Sequence, residues 1–249
     1  MTRGAAAALL AVAGLAAAVA VATRPTGRAR GGAPAHVLDL GHPLSATDPT
    51  WSGRPTFERT GSPSMGRIAT DEHFGTHLDA PVHSGGTWAV DQIPVDHLVR
   101  PGVTIAVTGM PEDYEITLAD VKAWEAQHGA VPEGAIVLFA TGWDARWSDA
   151  KAYMNERDGV KHFPGIAQDA ASYLRERKVV GVGIDSPSVD HGPSETFATH
   201  RITNSAGIFH IENAAHLTEL PARGFTVVVA PVNTVGGSGG PTRVFALLP

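Results

Sequence analysis

Residues 71–83 read Asp-Glu-His-Phe-Gly-Thr-His-Leu-Asp-Ala-Pro-Val-His, and no other stretch of the chain restricts the fold so strongly. His73, His77, Asp79 and His83 are imidazole and carboxylate donors, the ligand types that suit zinc, manganese or iron. Their spacing constrains the backbone. Six residues of extended chain would span roughly 20 Å, whereas donors sharing one ion each lie about 2 Å from it, so His73 to Asp79 is not one plain strand. A helix would align His73 with His77 but leave Asp79 off that face, and Pro81 would interrupt it. The spacing therefore predicts a compact turn, which Gly75 permits.

The string His-Phe-Gly-Thr-His-Leu-Asp-Ala-Pro-Val-His resembles the signature of the cyclase family of metal-dependent hydrolases, which includes bacterial kynurenine formamidases and isatin hydrolases. The resemblance implies a mixed α/β domain of the swivelling β/β/α kind from about His36 to the C-terminus. It implies metal ligation by His73, His77 and Asp79, with His83 as general acid/base. It further implies one or two divalent ions, zinc or manganese, and a homo-oligomer.

Length and composition agree with one catalytic domain. The 249 residues are enough for a single sizeable core. A 43% hydrophobic and 18% charged composition is that of a globular chain, and a net charge of -6 with no basic cluster after the leader excludes a nucleic-acid partner. With no cysteine, a metal must rest on His, Asp and Glu. Residues 1–35 stand apart. Arg3 precedes an uncharged Ala/Val/Leu/Gly run from Gly4 to Ala22, with small-residue cleavage sites at Ala18-Val19-Ala20 and Ala20-Val21-Ala22, then a tether rich in Arg, Gly and Pro. This reads as a secretory signal peptide, or, if uncleaved, a membrane anchor. Either way residues 36–249, the catalytic domain, are expected outside the cytoplasm.

Along that domain, residues 36–40, 103–108, 135–140, 179–184, 225–230 and 243–248 have strand composition. Residues 117–128 read as a helix with Thr117 as N-cap, Asp120 completing a capping-box-like pair and Gly129 as the stop. Residues 164–178 read as an amphipathic helix with Ile166, Ala170, Tyr173 and Leu174 inward. Gly181-Val182-Gly183 is no dinucleotide fingerprint, because the third glycine position falls on Ser186. The glycine run 236–240 lacks the lysine and following helix of a phosphate cradle and reads as a flexible hairpin loop. Asp144 reads as a turn residue. Strands at both ends with helices between argue for an α/β or α+β domain.

A second part of the site is expected far along the chain. Glu212 lies in the apolar run Gly-Ile-Phe-His-Ile-Glu, where burial is costly unless something cationic meets it. His200 and Glu212 also recur at the spacing where the family places a second-metal histidine and a glutamate shared between two metals. Trp51, alone in the turn-rich segment 41–55, is by itself a loop anchor, and by resemblance contacts substrate. His97, His128, His162, His191, His210 and His216 have no matched partners and are expected in surface or hydrogen-bonding roles. The implied chemistry is hydrolysis of a small aryl formamide or cyclic amide, isatin- or formylkynurenine-like, by metal-activated water. A metal-dependent cyclase of a secondary metabolite and an exported metal-binding protein without turnover are the alternatives, and the non-ligating His83 argues against the last.

Overall fold

The computed structural model describes Met1 and residues 36–249, so the expected leader lies outside the described residues. Residues 36–249 belong to one unit. In chain order its elements begin with strands β1 (His36–Asp39), β2 (Glu58–Ser62), β3 (Met65–Ala69), β4 (His77–Asp79), β5 (Val99–Ala106) and β6 (Glu115–Ile116). There follow α1 (Leu118–His128), β7 (Ile136–Ala140), α2 (Ala150–Met154), β8 (Gly165–Ile166), α3 (Gln168–Glu176) and β9 (Gly181–Ile184). The chain closes with α4 (Ala198–Asn204), β10 (Phe209–Glu212), β11 (Arg223–Pro231) and β12 (Gly239–Leu248). No helix among the described residues is long and apolar enough to cross a membrane.

The main sheet runs β1-β12-β11-β5-β7-β9-β10-β4, and β4 pairs again with β12, so seven strands close into a ring with β1 laid on its seam. The mixed α/β class expected from the sequence holds. Strands β5, β7, β9 and β10 are mutually parallel neighbours, and parallel strands need both faces covered. Side-chain alternation divides the two cores. From β7, Ile136, Leu138 and Ala140 pack with Leu78, Ile211, Val227 and Val244. Val137 and Phe139 point the other way, against Val121 and Trp124 of α1 and Ala170, Ala171 and Leu174 of α3.

Helix α1 starts as read: Asp120 Oδ2 accepts from Thr117 N at 2.8 Å while Thr117 Oγ1 accepts from Asp120 N, and Gly129 (φ +82) ends it. The expected helix over 164–178 is corrected to Gln168–Glu176. Its first residues form β8 instead, pairing with β6. Ile166 N donates to Val189 O at 2.7 Å, and a Cβ on Gly165 would meet His191 N at 2.1 Å, so close packing on the 186–191 loop overrides helix propensity.

The glycine run is also corrected. Gly239 and Gly240 are not loop but the start of β12, paired with Asp79 and Leu78. A Cβ on Gly239 would meet Leu78 O at 2.6 Å and His73 Cε1 at 2.8 Å, so the bare backbone is what lets the ring close beside the histidine-rich segment. Gly239→Ala should therefore cost about 1–3 kcal/mol through overpacking, read as a Tm lowered by roughly 2–10 °C. A variant melting with wild type would show that this seam tolerates a side chain.

Candidate metal centre

The compact turn expected across His73 to Asp79 is present only in its first part, with Gly75 at φ +63, and is corrected over His77–Asp79, which form strand β4. There His77 and Asp79 point to one face of the strand while Leu78 enters the ring interior. Antiparallel β10 sets Glu212 opposite His77 and His210 opposite Asp79. Two cross-strand pairs of ionisable groups thus share one buried face. Helix α4 brings His200 to it, and the turn Pro81–Ser84 brings His83.

Asp79, with 0% exposure, is the shared centre. Its Oδ1 lies 2.6 Å from His73 Nδ1 and 3.2 Å from His77 Nε2. Its Oδ2 lies 3.4 Å from His200 Nε2 and 3.5 Å from His210 Nδ1. Glu212 spans the same groups, Oε2 being 3.4 Å from His77 Nε2 and Oε1 3.4 Å from His200 Nε2.

Supporting groups fix the rings. Gly75 O lies 2.9 Å from His77 Nδ1 and accepts from Asn213 Nδ2 at 2.8 Å, which turns His77 Nε2 toward the carboxylates. His200 Nδ1 donates to Asp190 Oδ2 at 2.6 Å, the carboxylate–imidazole pairing that orients metal-ligating histidines. Burial opposes ionisation of Asp190, but the His200 hydrogen bond and charge outweigh it and hold the carboxyl below its usual range. The 2.6 Å contact of His73 with Asp79 is a hydrogen bond, and its other nitrogen reaches Ser238 Oγ at 3.0 Å.

A divalent ion fits these residues. Asp79 Oδ2 and His210 Nδ1 are buried with no hydrogen-bond partner, and one donor atom from each of Asp79, His200, His210 and Glu212 falls within 4.8 Å of the others. His73, Asp79 and His83 form a second such group, with His83 on its exposed side. Burial disfavours charge on His77 and His200, yet hydrogen bonds to carboxylates (Asp79 and Glu212 for His77, Asp190 and Asp79 for His200) raise both to about 10. Burial likewise works against the Asp79 carboxylate, and the surrounding imidazoles hold it well below its usual range. Without metal, protons do the work of a cation.

The profile of the Cyclase family, described as "Putative cyclase", matches residues 38–191. The chain belongs to the cyclase family. It is 34% identical over 190 residues to an isatin hydrolase of Roseibium aggregatum, covering 72% of each chain. It is 29% identical to a kynurenine formamidase of Salinibacter ruber, covering 78% of this chain and 84% of that one. Isatin hydrolase A from Ralstonia solanacearum superposes with a TM-score of 0.80 at 33% identity, over 86% of this chain and 92% of that one. This cyclase-family member is accordingly a metal-dependent amidohydrolase acting on carbon–nitrogen bonds outside peptides.

All six histidine and carboxylate positions singled out in the sequence meet around one cavity of about 490 Å³ or directly beneath it. Trp51 lines the same cavity, half exposed, with its ring 6.4 Å from Phe197 and edge-on to Phe163 at 6.2 Å. The His83 ring sits 4.2 Å from that of His73. Desolvation, with the positive charge of His73 and His200, lowers its pKa against the pull of Asp79. The hydrogen-bonding role expected of His210 holds, through Thr203, and its ring is in addition fully buried beside Asp79. The signal was there: His210-Ile211-Glu212 alternates, so a strand that presents Glu212 presents His210 beside it. By contrast His162, His191 and His216 pair with Asp113, Glu115 and Glu219.

The raised His77 and His200 values carry a sign. Their stabilisation of metal-free protein is complete below about pH 6.5 and is lost as pH rises toward about 10. The Tm of stripped protein should fall between about pH 7 and about 9.5, whereas metal-loaded protein, its imidazoles neutral ligands, should hold steady. Parallel Tm profiles would contradict the assignment.

Proposed function

We propose that the chain hydrolyses a small aryl formamide or cyclic amide, isatin- or formylkynurenine-like, with zinc or manganese. In this reading His73, His77 and Asp79 would hold one ion and His200 and Glu212 a second, with Asp79 and Glu212 available to both. The observation that carries it is the position of His83: beside the ligand set, bordering the cavity, with no side-chain hydrogen bond among the described residues. When bound, a divalent ion there lowers the pKa of water toward neutrality and polarises a carbonyl.

The chain's own groups do the rest. His83, kept neutral by its lowered pKa, takes a proton from the attacking water and hands it to the departing nitrogen. Trp51 and Phe197 offer aromatic faces to a flat ring, and Met154 and Pro187 add apolar walls that exclude bulk water from the amide. The size of the cavity suits one bicyclic ligand.

Wild type should hydrolyse at least one member of a panel of aryl formamides, isatins and cyclic imides. His83→Ala should keep its metal yet lose about 10²- to 10⁴-fold in rate, with smaller losses on substrates with good leaving groups. Loss of metal from His83→Ala would move His83 among the ligands, and full activity would leave it no part in proton transfer.

Export and homo-oligomeric assembly complete the proposal, resting on the basic-then-apolar leader and on the family resemblance. Residues 1–35 fused to a reporter active only outside the cytoplasm should give signal. A silent fusion, with unprocessed full-length chain in cytosol, would rule export out.

A further inference from the structure

The hydrolase reading leaves His210 without a role. Its Nδ1 and Asp79 Oδ2 are both buried, both without hydrogen-bond partners, and 3.5 Å apart. An unpaired buried polar group costs on the order of 1–3 kcal/mol, so two that face each other call for one occupant that satisfies both.

The surrounding hydrogen bonds decide what that occupant is. Thr203 Oγ1 gives its single hydrogen to Thr199 O at 2.6 Å. The same oxygen lies 2.6 Å from His210 Nε2, so Nε2 must carry a hydrogen and donate it. Asn204 Nδ2, 3.3 Å from that nitrogen, is directed to Ile208 O at 2.9 Å. A neutral imidazole protonated at Nε2 has a bare lone pair at Nδ1. In that tautomer the contact with Asp79 is between two acceptors, and a cation shared by both satisfies it.

The spacing fits a metal ion. Asp79 Oδ2 to His200 Nε2 is 3.4 Å, His200 Nε2 to Glu212 Oε1 is 3.4 Å, and Asp79 Oδ2 to His210 Nδ1 is 3.5 Å. Those three of the six separations match the roughly 3.4 Å expected of donors tetrahedrally arranged about 2.1 Å from an ion, and all four donors lie within 4.8 Å of one another. We propose that His210 Nδ1 is the fourth donor of an inner divalent-cation site built from buried residues, with Asp79 Oδ2, His200 Nε2 and Glu212 Oε1.

This inference rests on reading the site as a metal centre, and it makes the two positions unequal. The four inner donors are all buried, although His200 and Glu212 also line the cavity, whereas the outer set includes the part-exposed His73. The inner ion should load first and leave last.

Cobalt(II) alone, titrated into stripped full-length protein and followed by visible absorption and equilibrium dialysis, tests this. Wild type should fill a tight class first, with the intense visible band of a four-coordinate ion, then a weaker class. His210→Phe should weaken the tight class by more than about 100-fold, beyond the 10–100-fold typical of losing an outer-shell partner, remove that band and spare the weaker class. Unchanged affinity and band in the folded variant would make His210 an ordinary core histidine. If the variant does not fold, anomalous scattering from cobalt in wild-type crystals decides: an ion about 2.1 Å from His210 Nδ1 supports the proposal, and one bound elsewhere overturns it. Two cobalt classes in a protein inert toward every amide would leave the inner site standing while removing the hydrolase reading.

Discussion

Asp79 is a carboxylate with no access to water, and the rest of the structure answers to it. Burying an uncompensated charge costs several kcal/mol even after relaxation. Four imidazoles, from His73, His77, His200 and His210, converge on its two oxygens. That many cation-binding groups around one carboxylate is poor design for stability, where apolar side chains of the same volume would serve as well. It is good design for holding an ion.

Strand geometry makes the convergence cheap. Alternation along β4 and β10 sends Leu78 and Ile211 into the ring while His77, Asp79, His210 and Glu212 share the opposite face. The same backbone thus packs a core and presents a charge cluster, with no separate element for either. Closing the ring through Gly239 and Gly240 pins β4 from its other side, so the ligand strand is held by β10 and β12 at once. Rigid support on both edges keeps a first coordination shell in place when ions exchange.

Much of this was legible in the residues. The dense segment 71–83 showed itself through composition and spacing, and the central strands through runs of Val and Ile. The capping box at Thr117 and Asp120 located α1 correctly. What failed did so for tertiary reasons. Residues 164–166 have a helix-like pattern but sit against the 186–191 loop, and Gly239 and Gly240 look like a loop until β4 lies alongside. Helix α4, which carries His200, is only seven residues with Phe197 at φ +48 before it, too short to show periodicity. The place of His210 beside Asp79 was not legible because Asp79 is 131 positions earlier and meets it only through strand pairing.

The shared-carboxylate cluster ties amide hydrolysis to divalent metal. The most direct measurement is hydrolysis rate against zinc or manganese added back to stripped protein, with bound metal counted by elemental analysis at each point. The rate should be negligible without metal and should rise to saturate at one or two ions per chain. Full hydrolysis by protein shown to hold no metal would contradict it.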